Sequence, residues 1–293
     1  MREESQLNAK NSAHSDPVPV DWADVDLPEA WPDNLRLFSP RGLSDFWLKI
    51  ILRRHERVQL PAGLNLSVDV PKYAQQEFHN LPNGVYSRRL TRGYVSGFEI
   101  SMLGELGRVR RWITDQLMPG TSFLDLGCGS GRTAAEIVRR GADDVWGMDV
   151  SPYMLQHAAT DIQGVSFVQG LLEDIPFEAE RFDGVAVCFL FHEVPPRYIR
   201  RGLAELARVL KPGGKLVVVE PSPLQLESRW LSLFRQYSWR GVYFKLLASF
   251  VYEPFLRSWH NFDMARELAE VDLQLVSDEV SMPFRKLVVS KPL

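Results

Sequence analysis

From residue 123 to residue 220 short apolar runs alternate with helix-like segments, and the first run opens straight into a glycine loop. The apolar runs fall at 123–126, 145–150, 165–168, 184–190 and 215–220, and helical patterns fill 133–140, 152–160 and 200–210 between them. The glycine at 141 and the Lys-Pro-Gly-Gly stop at 211–214 close two of those helices. Strands apolar on both faces, alternating with helices, predict an α/β fold whose mostly parallel sheet is covered on both sides. Two further runs, 273–280 and 287–290, with a helix at 262–271 before them, raise the expected strand number to seven.

The flanking segments break this rhythm. Residues 1–40 are polar and proline-rich and read as a flexible arm. A helical cap is expected over 41–118, with helices at 43–52 and 97–118, and an irregular stretch at 61–84. In the second helix Ile100, Leu103, Leu106, Val109, Ile113 and Leu117 recur at helical spacing. The core spans 119–293, interrupted after its fifth strand by an aromatic helical insertion at 222–260, read as a lid on the substrate. That insertion interleaves Trp230, Phe234, Trp239 and Phe250 with Arg229, Arg235, Arg240 and Lys245. Aromatic rings with cations suit a cover over an apolar substrate, or peripheral contact with a membrane surface through 229–259.

Composition narrows the classes. With 34 basic and 37 acidic residues there is no global field for nucleic acid, and none is expected as a partner. Two cysteines, Cys128 and Cys188, give no disulfide framework, and no His/Cys spacing suggests a metal. No apolar stretch reaches the ~18 residues of a membrane span. The expectation is a cytoplasmic protein, peripheral to a membrane at most.

The loop itself reads Asp125-Leu-Gly127-Cys128-Gly129-Ser-Gly131 and lies between a strand and a helix. Glycines there let the backbone turn and approach a ligand closely. Arg132 stands where a dinucleotide fingerprint wants its third glycine, which speaks against a nicotinamide enzyme. Asp149 ends the second strand, 24 residues beyond Asp125, near the separation at which an acidic residue reaches a ribose. The loop resembles motif I of class I S-adenosylmethionine methyltransferases. The motif order is similar to the branch of ubiquinone and menaquinone biosynthesis methyltransferases. The resemblance covers 123–221.

It implies a Rossmann-like core and S-adenosyl-L-methionine as cofactor. It implies that Asp125, Gly127, Cys128, Gly129 and Gly131 wrap the methionine part and that Asp149 takes the ribose. Val150 and Met148 would sandwich the adenine, with the Leu172 N–H on a ring nitrogen, a backbone contact near Cys188, and Tyr94 as cover. Leu171 departs from the family's Asp, with Glu173 as a substitute, and Tyr86 is a second candidate cover.

His192-Glu193 at the mouth of the fourth strand is the catalytic candidate, since methyl transfer needs alignment and a deprotonated acceptor. A structural histidine and a turn-capping Glu explain the pair equally well. The acceptor is expected to be small, apolar or lipid-like, a quinone precursor for example. The alternatives are a protein that binds the cofactor without methyl transfer and a membrane-surface adaptor.

Overall fold

Side-chain alternation along the strands decides how the layers assemble. The computed structural model describes residues 15–34, 40, 44 and 55–293. Its strands are β1 (Ser122–Leu126), β2 (Asp144–Asp149), β3 (Ser166–Gln169), β4 (Phe182–Cys188), β5 (Leu210–Pro221), β6 (Gln274–Val280) and β7 (Phe284–Ser290). They form one seven-stranded sheet in the order β3-β2-β1-β4-β5-β7-β6. The first five pair in parallel, and β7 runs antiparallel to both of its neighbours. This is the mostly parallel Rossmann-like sheet expected.

The helices are α1 (Arg88–Ser101), α2 (Glu105–Leu117), α3 (Arg132–Arg139), α4 (Pro152–Asp161), α5 (Pro196–Val209), α6 (Leu224–Glu227), α7 (Trp230–Phe250), α8 (Leu256–His260) and α9 (Met264–Ala269). On one face of the sheet Leu124, Leu126, Met148, Val185, Val187 and Val218 pack against Ile199, Leu203 and Leu206 of α5 and against Trp259. On the other, Phe123, Val145, Ala186, Val217 and Val219 meet Val109, Ile113 and Leu117 of α2, Ala134 and Ile137 of α3, and Phe244 of α7. Successive strand residues point to opposite faces, so each run supplies both cores.

Two expectations change, and one goes untested. The helix expected over 97–118 is two helices, because Leu103 and Gly104 take positive φ (52° and 80°) and interrupt it between α1 and α2. The helix expected at 43–52 lies, Ser44 apart, outside the described residues. The described part of the arm, 15–34, lies against the core: Trp22 is buried and donates its indole N–H to the Phe167 carbonyl at 3.1 Å. The Tyr153 hydroxyl donates to the Pro28 carbonyl at 2.6 Å, and Ser151 caps α4 by accepting from Met154 N–H.

Candidate active site

The strand order reverses between β1 and β4, so a crevice opens at the carboxyl ends of those strands, where open α/β sheets take their ligands. A cavity of about 1330 Å³, its open mouth included, occupies that place. Its first wall is the loop after β1 together with the ends of β2, β3 and β4. Its second wall comes from residues 73–110 of the cap.

Asp125, next to last in β1, lines the cavity and accepts the Ala134 N–H at 3.0 Å. Burial pushes its carboxyl up to about 7, against the pull of that N–H and of the Arg110 charge. Asp149 accepts from Gly129 N–H at 2.9 Å and Ser151 N–H at 2.8 Å. Burial pushes its carboxyl up to about 6 despite both donors. Each carboxylate keeps lone pairs for a ligand. At Gly129 (φ 49°) the site of a Cβ has no heavy atom within 4 Å, so the backbone is open on that side. Gly127 and Cys128 donate their N–H groups to the Met148 carbonyl, which folds the loop onto β2. Gly131 does not line the cavity. It starts α3 at φ 71°, and a Cβ there would meet the Phe167 ring at 3.0 Å.

Met148, Val150, Leu171, Leu172 and Cys188 all line the cavity. Burial pushes the Cys188 thiol up to about 12 and holds Cys128 well above the ordinary range, so neither is a thiolate at neutral pH. Leu171 bridges to Asp174, and the buried Glu173 carboxylate accepts from the Tyr73 hydroxyl at 2.6 Å. Glu173 is therefore engaged by the cap. Tyr94 lines the cavity and stacks between His79 and Phe98. Tyr86 does not line it. Its buried hydroxyl has no partner among the described residues.

The two catalytic candidates part company. Glu193 lines the cavity. His192 does not. It is 1% exposed and directs Nδ1 at Glu220 Oε2, 2.6 Å away. Glu220 also accepts from the N–H groups of Leu190 and Phe191, so this pair holds the turn after β4. Burial opposes a charge on His192, but Glu253 and Glu220 outweigh it and hold the imidazole well above its usual range.

A different histidine reaches the site. His79 lines the cavity and its Nε2 lies 2.8 Å from Glu193 Oε1. It sits in the irregular stretch before α1, where no periodicity marks it. Phe78, Phe98, Phe189 and Leu190 complete an apolar surface around this pair. Residues 222–260 contribute none of the lining. They touch the site from behind, where Glu253 lies 3.8 Å from His79 Nδ1 and the Tyr252 carbonyl accepts the His79 N–H.

Residues 123–214 match the family model described as a methyltransferase domain. Among similar proteins, an uncharacterised methyltransferase of Synechocystis is 37% identical over 115 residues, which is 39% of this chain and 52% of the relative. A demethylmenaquinone methyltransferase of Clavibacter sepedonicus is 39% identical over 121 residues, covering 39% of this chain and 48% of the relative. A 2-phytyl-1,4-naphtoquinone methyltransferase of Trichormus variabilis is 36% identical over 110 residues, 35% of this chain and 47% of the relative. The chain thus spans about half the length of the curated relatives it matches. Residues 123–214 are a methyltransferase domain of the class I, S-adenosylmethionine-dependent kind. Two of these relatives bear the names of quinone methyltransferases.

Proposed function

We propose that the protein transfers a methyl group from S-adenosylmethionine to a small, apolar, quinone-like acceptor. The observation that carries this reading is the pair of carboxylates, the buried Asp125 and the half-buried Asp149, that line the cavity beside an open glycine loop. In this reading Asp149 accepts both ribose hydroxyls, and Asp125 faces the ammonium of the methionine part. Gly127, Cys128 and Gly129 give the main chain its close approach, while Gly131 keeps α3 against β3. Val150, Met148 and Leu172 offer apolar contact to an adenine, Cys188 presents its backbone, and Tyr94 covers the site. When bound, the cofactor supplies a methyl group on a sulfonium, a good leaving group, so the chain has only to align the acceptor, exclude water and take a proton. Phe78, Phe98, Phe189 and Leu190 supply an apolar surface for the acceptor, and Glu193, which lines the same cavity, takes the proton in this reading. The names of two relatives support a quinone-type acceptor.

A membrane surface is the partner we assign to α7. Trp230, Leu231, Phe234 and Trp239 are 46–60% exposed beside exposed Arg229 and Arg235. Apolar rings flanked by cations fit the headgroup region of an anionic bilayer, where an apolar acceptor would be held. No helix among the described residues is long and apolar enough to cross a membrane.

The test is calorimetric titration with S-adenosylhomocysteine and, separately, NADH, followed by transfer of labelled methyl to reduced naphthoquinones. Micromolar binding of S-adenosylhomocysteine but not NADH, with label in the lipid extract, is the expected result. Binding with no transfer to any acceptor would favour a cofactor-binding protein instead, and NADH binding would overturn the reading. Liposomes with phosphatidylserine should retain the protein, and Phe234→Ser with Trp239→Ser should release it.

A further inference from the structure

Five acidic and imidazole side chains alternate through the molecule from the buried sheet end to the cavity. Glu220 lies 2.6 Å from His192 Nδ1, and Glu253 lies 3.6 Å from His192 Nε2 on its other side. Glu253 also lies 3.8 Å from His79 Nδ1, and His79 Nε2 reaches Glu193 at 2.8 Å. The members come from four stretches of chain: the cap (His79), the turn after β4 (His192 and Glu193), the end of β5 (Glu220) and the insertion (Glu253). A carboxylate only accepts, so the short contact to Glu193 requires the hydrogen on Nε2 of His79. The ring and its backbone are both held. Tyr94 stacks on it at 4.8 Å, the main-chain N–H of His79 donates to the Tyr252 carbonyl at 3.1 Å, and Asn80 beside it donates to the Phe250 carbonyl at 2.7 Å. His79 and Asn80 both take positive φ (57° and 60°), a backbone conformation that persists only where its surroundings hold it. Among the described residues, the charged and titratable groups placed against His79 are Glu193, Glu253 and the Tyr94 phenol.

Building on the methyltransferase reading above, we infer that His79 is a positioning residue for the transfer. Its Nε2–H fixes the Glu193 carboxylate as the proton acceptor, while the Tyr94 stack and the main-chain bond to Tyr252 hold His79, with the Glu253 charge 3.8 Å from Nδ1. In the step so arranged, the acceptor's O–H bond breaks and its proton goes to Glu193. The freed electron pair makes the new bond to the methyl carbon, directly at oxygen or through an aromatic ring at carbon; at carbon, the hydrogen of the attacked ring position then moves as a proton to the oxygen and the ring regains its aromaticity. The pair of the carbon–sulfur bond leaves on sulfur, and Glu193 then gives its proton to water. Burial favours a proton on Tyr94, and the neighbouring Glu193 and Glu253 charges reinforce it, so the phenol does not compete as the base.

Two measurements test this, both on the full chain. Nitrogen-15 spectra of the histidine rings in the S-adenosylhomocysteine complex need no acceptor. A protected Nε2–H signal from His79, lost in Glu193→Ala, is expected. Its absence, or its survival in Glu193→Ala, overturns the inference. With a reduced naphthoquinone as acceptor, His79→Leu should lower kcat about 10²-fold, the typical contribution of a placed proton acceptor. KM and the affinity for S-adenosylhomocysteine should stay within threefold. His79→Gln, which keeps a donor, should regain about tenfold of the lost rate by the same reckoning. Unchanged kcat in folded His79→Leu overturns the role of His79. Failure of the unmodified protein to bind S-adenosylhomocysteine would overturn the methyltransferase reading instead.

Discussion

The two walls of the cavity are held by different kinds of bond. On the loop side, Asp125 and Asp149 are held by main-chain N–H groups of Ala134, Gly129 and Ser151. On the cap side, side chain holds side chain: His79 with Glu193, Tyr73 with Glu173, Arg110 with Glu99. A wall built from backbone survives most substitutions except those of the carboxylates themselves and of its glycines. A wall built from paired side chains comes apart at either partner. The loop side should therefore govern cofactor affinity, and the cap side turnover.

The strongest way to break this contrast is Asp149→Ala. Loss of a charged acceptor for two hydroxyls removes about 3 kcal/mol or more, roughly a hundredfold in S-adenosylhomocysteine affinity by calorimetry. A change below threefold would mean that the cap carries the affinity. A smaller effect is expected from pH. Folding raises the pKa of Asp149 to about 6 and of Asp125 to about 7, from 3.8. Both groups therefore bind protons more tightly in the ligand-free fold. Their favourable contribution to stability is complete below pH ~4 and is lost as pH rises through 6 and 7. Ligand affinity runs the opposite way, because an ammonium and hydroxyl donors favour the ionised carboxylates. S-adenosylhomocysteine binding should strengthen from pH 5 to pH 7.5, by at most about tenfold per unit and group. Asp125→Asn should flatten the upper half of that rise.

On the cap side, Tyr73→Phe leaves the Glu173 carboxylate, 8% exposed, without its phenol donor. Urea denaturation should show a loss of about 1–3 kcal/mol, with cofactor affinity changed less than in Asp149→Ala. The smallest effect sharpens the contrast from outside. Phe234→Ser on the exposed side of α7 should leave both cofactor affinity and stability within about 0.5 kcal/mol, as surface changes usually do.

The same division explains what could be read in the sequence. Strand runs and glycines are local signals, so the order of β1 to β5 and the places of Asp125 and Asp149 were legible. His79 was not, because it lies in an aperiodic stretch 114 residues from the glutamate it meets. His192, adjacent to that glutamate in sequence, looked the better partner. Yet a turn of three residues, Phe191–Glu193, sends neighbouring side chains in different directions, one to Glu220 and the other to the cavity. The break at Leu103 was missed for a related reason, since the apolar spacing continues across it while the backbone does not.

The stretch at 15–34 bears on one more property of the molecule. A sheet in the order found has two rims, β3 and β6. The β6 rim shows Asp278 and Glu279 among its exposed residues, and charges discourage a second strand from adding there. The β3 rim is guarded by coverage instead: the Trp22 indole takes the Phe167 carbonyl, and Ser67 donates its N–H and hydroxyl to Gln169. A chain shortened past Trp22 would lose that part of the cover and present β3 as a template for other chains. Such a truncation should be recognised first by self-association in concentrated solution, before any loss in cofactor binding is seen.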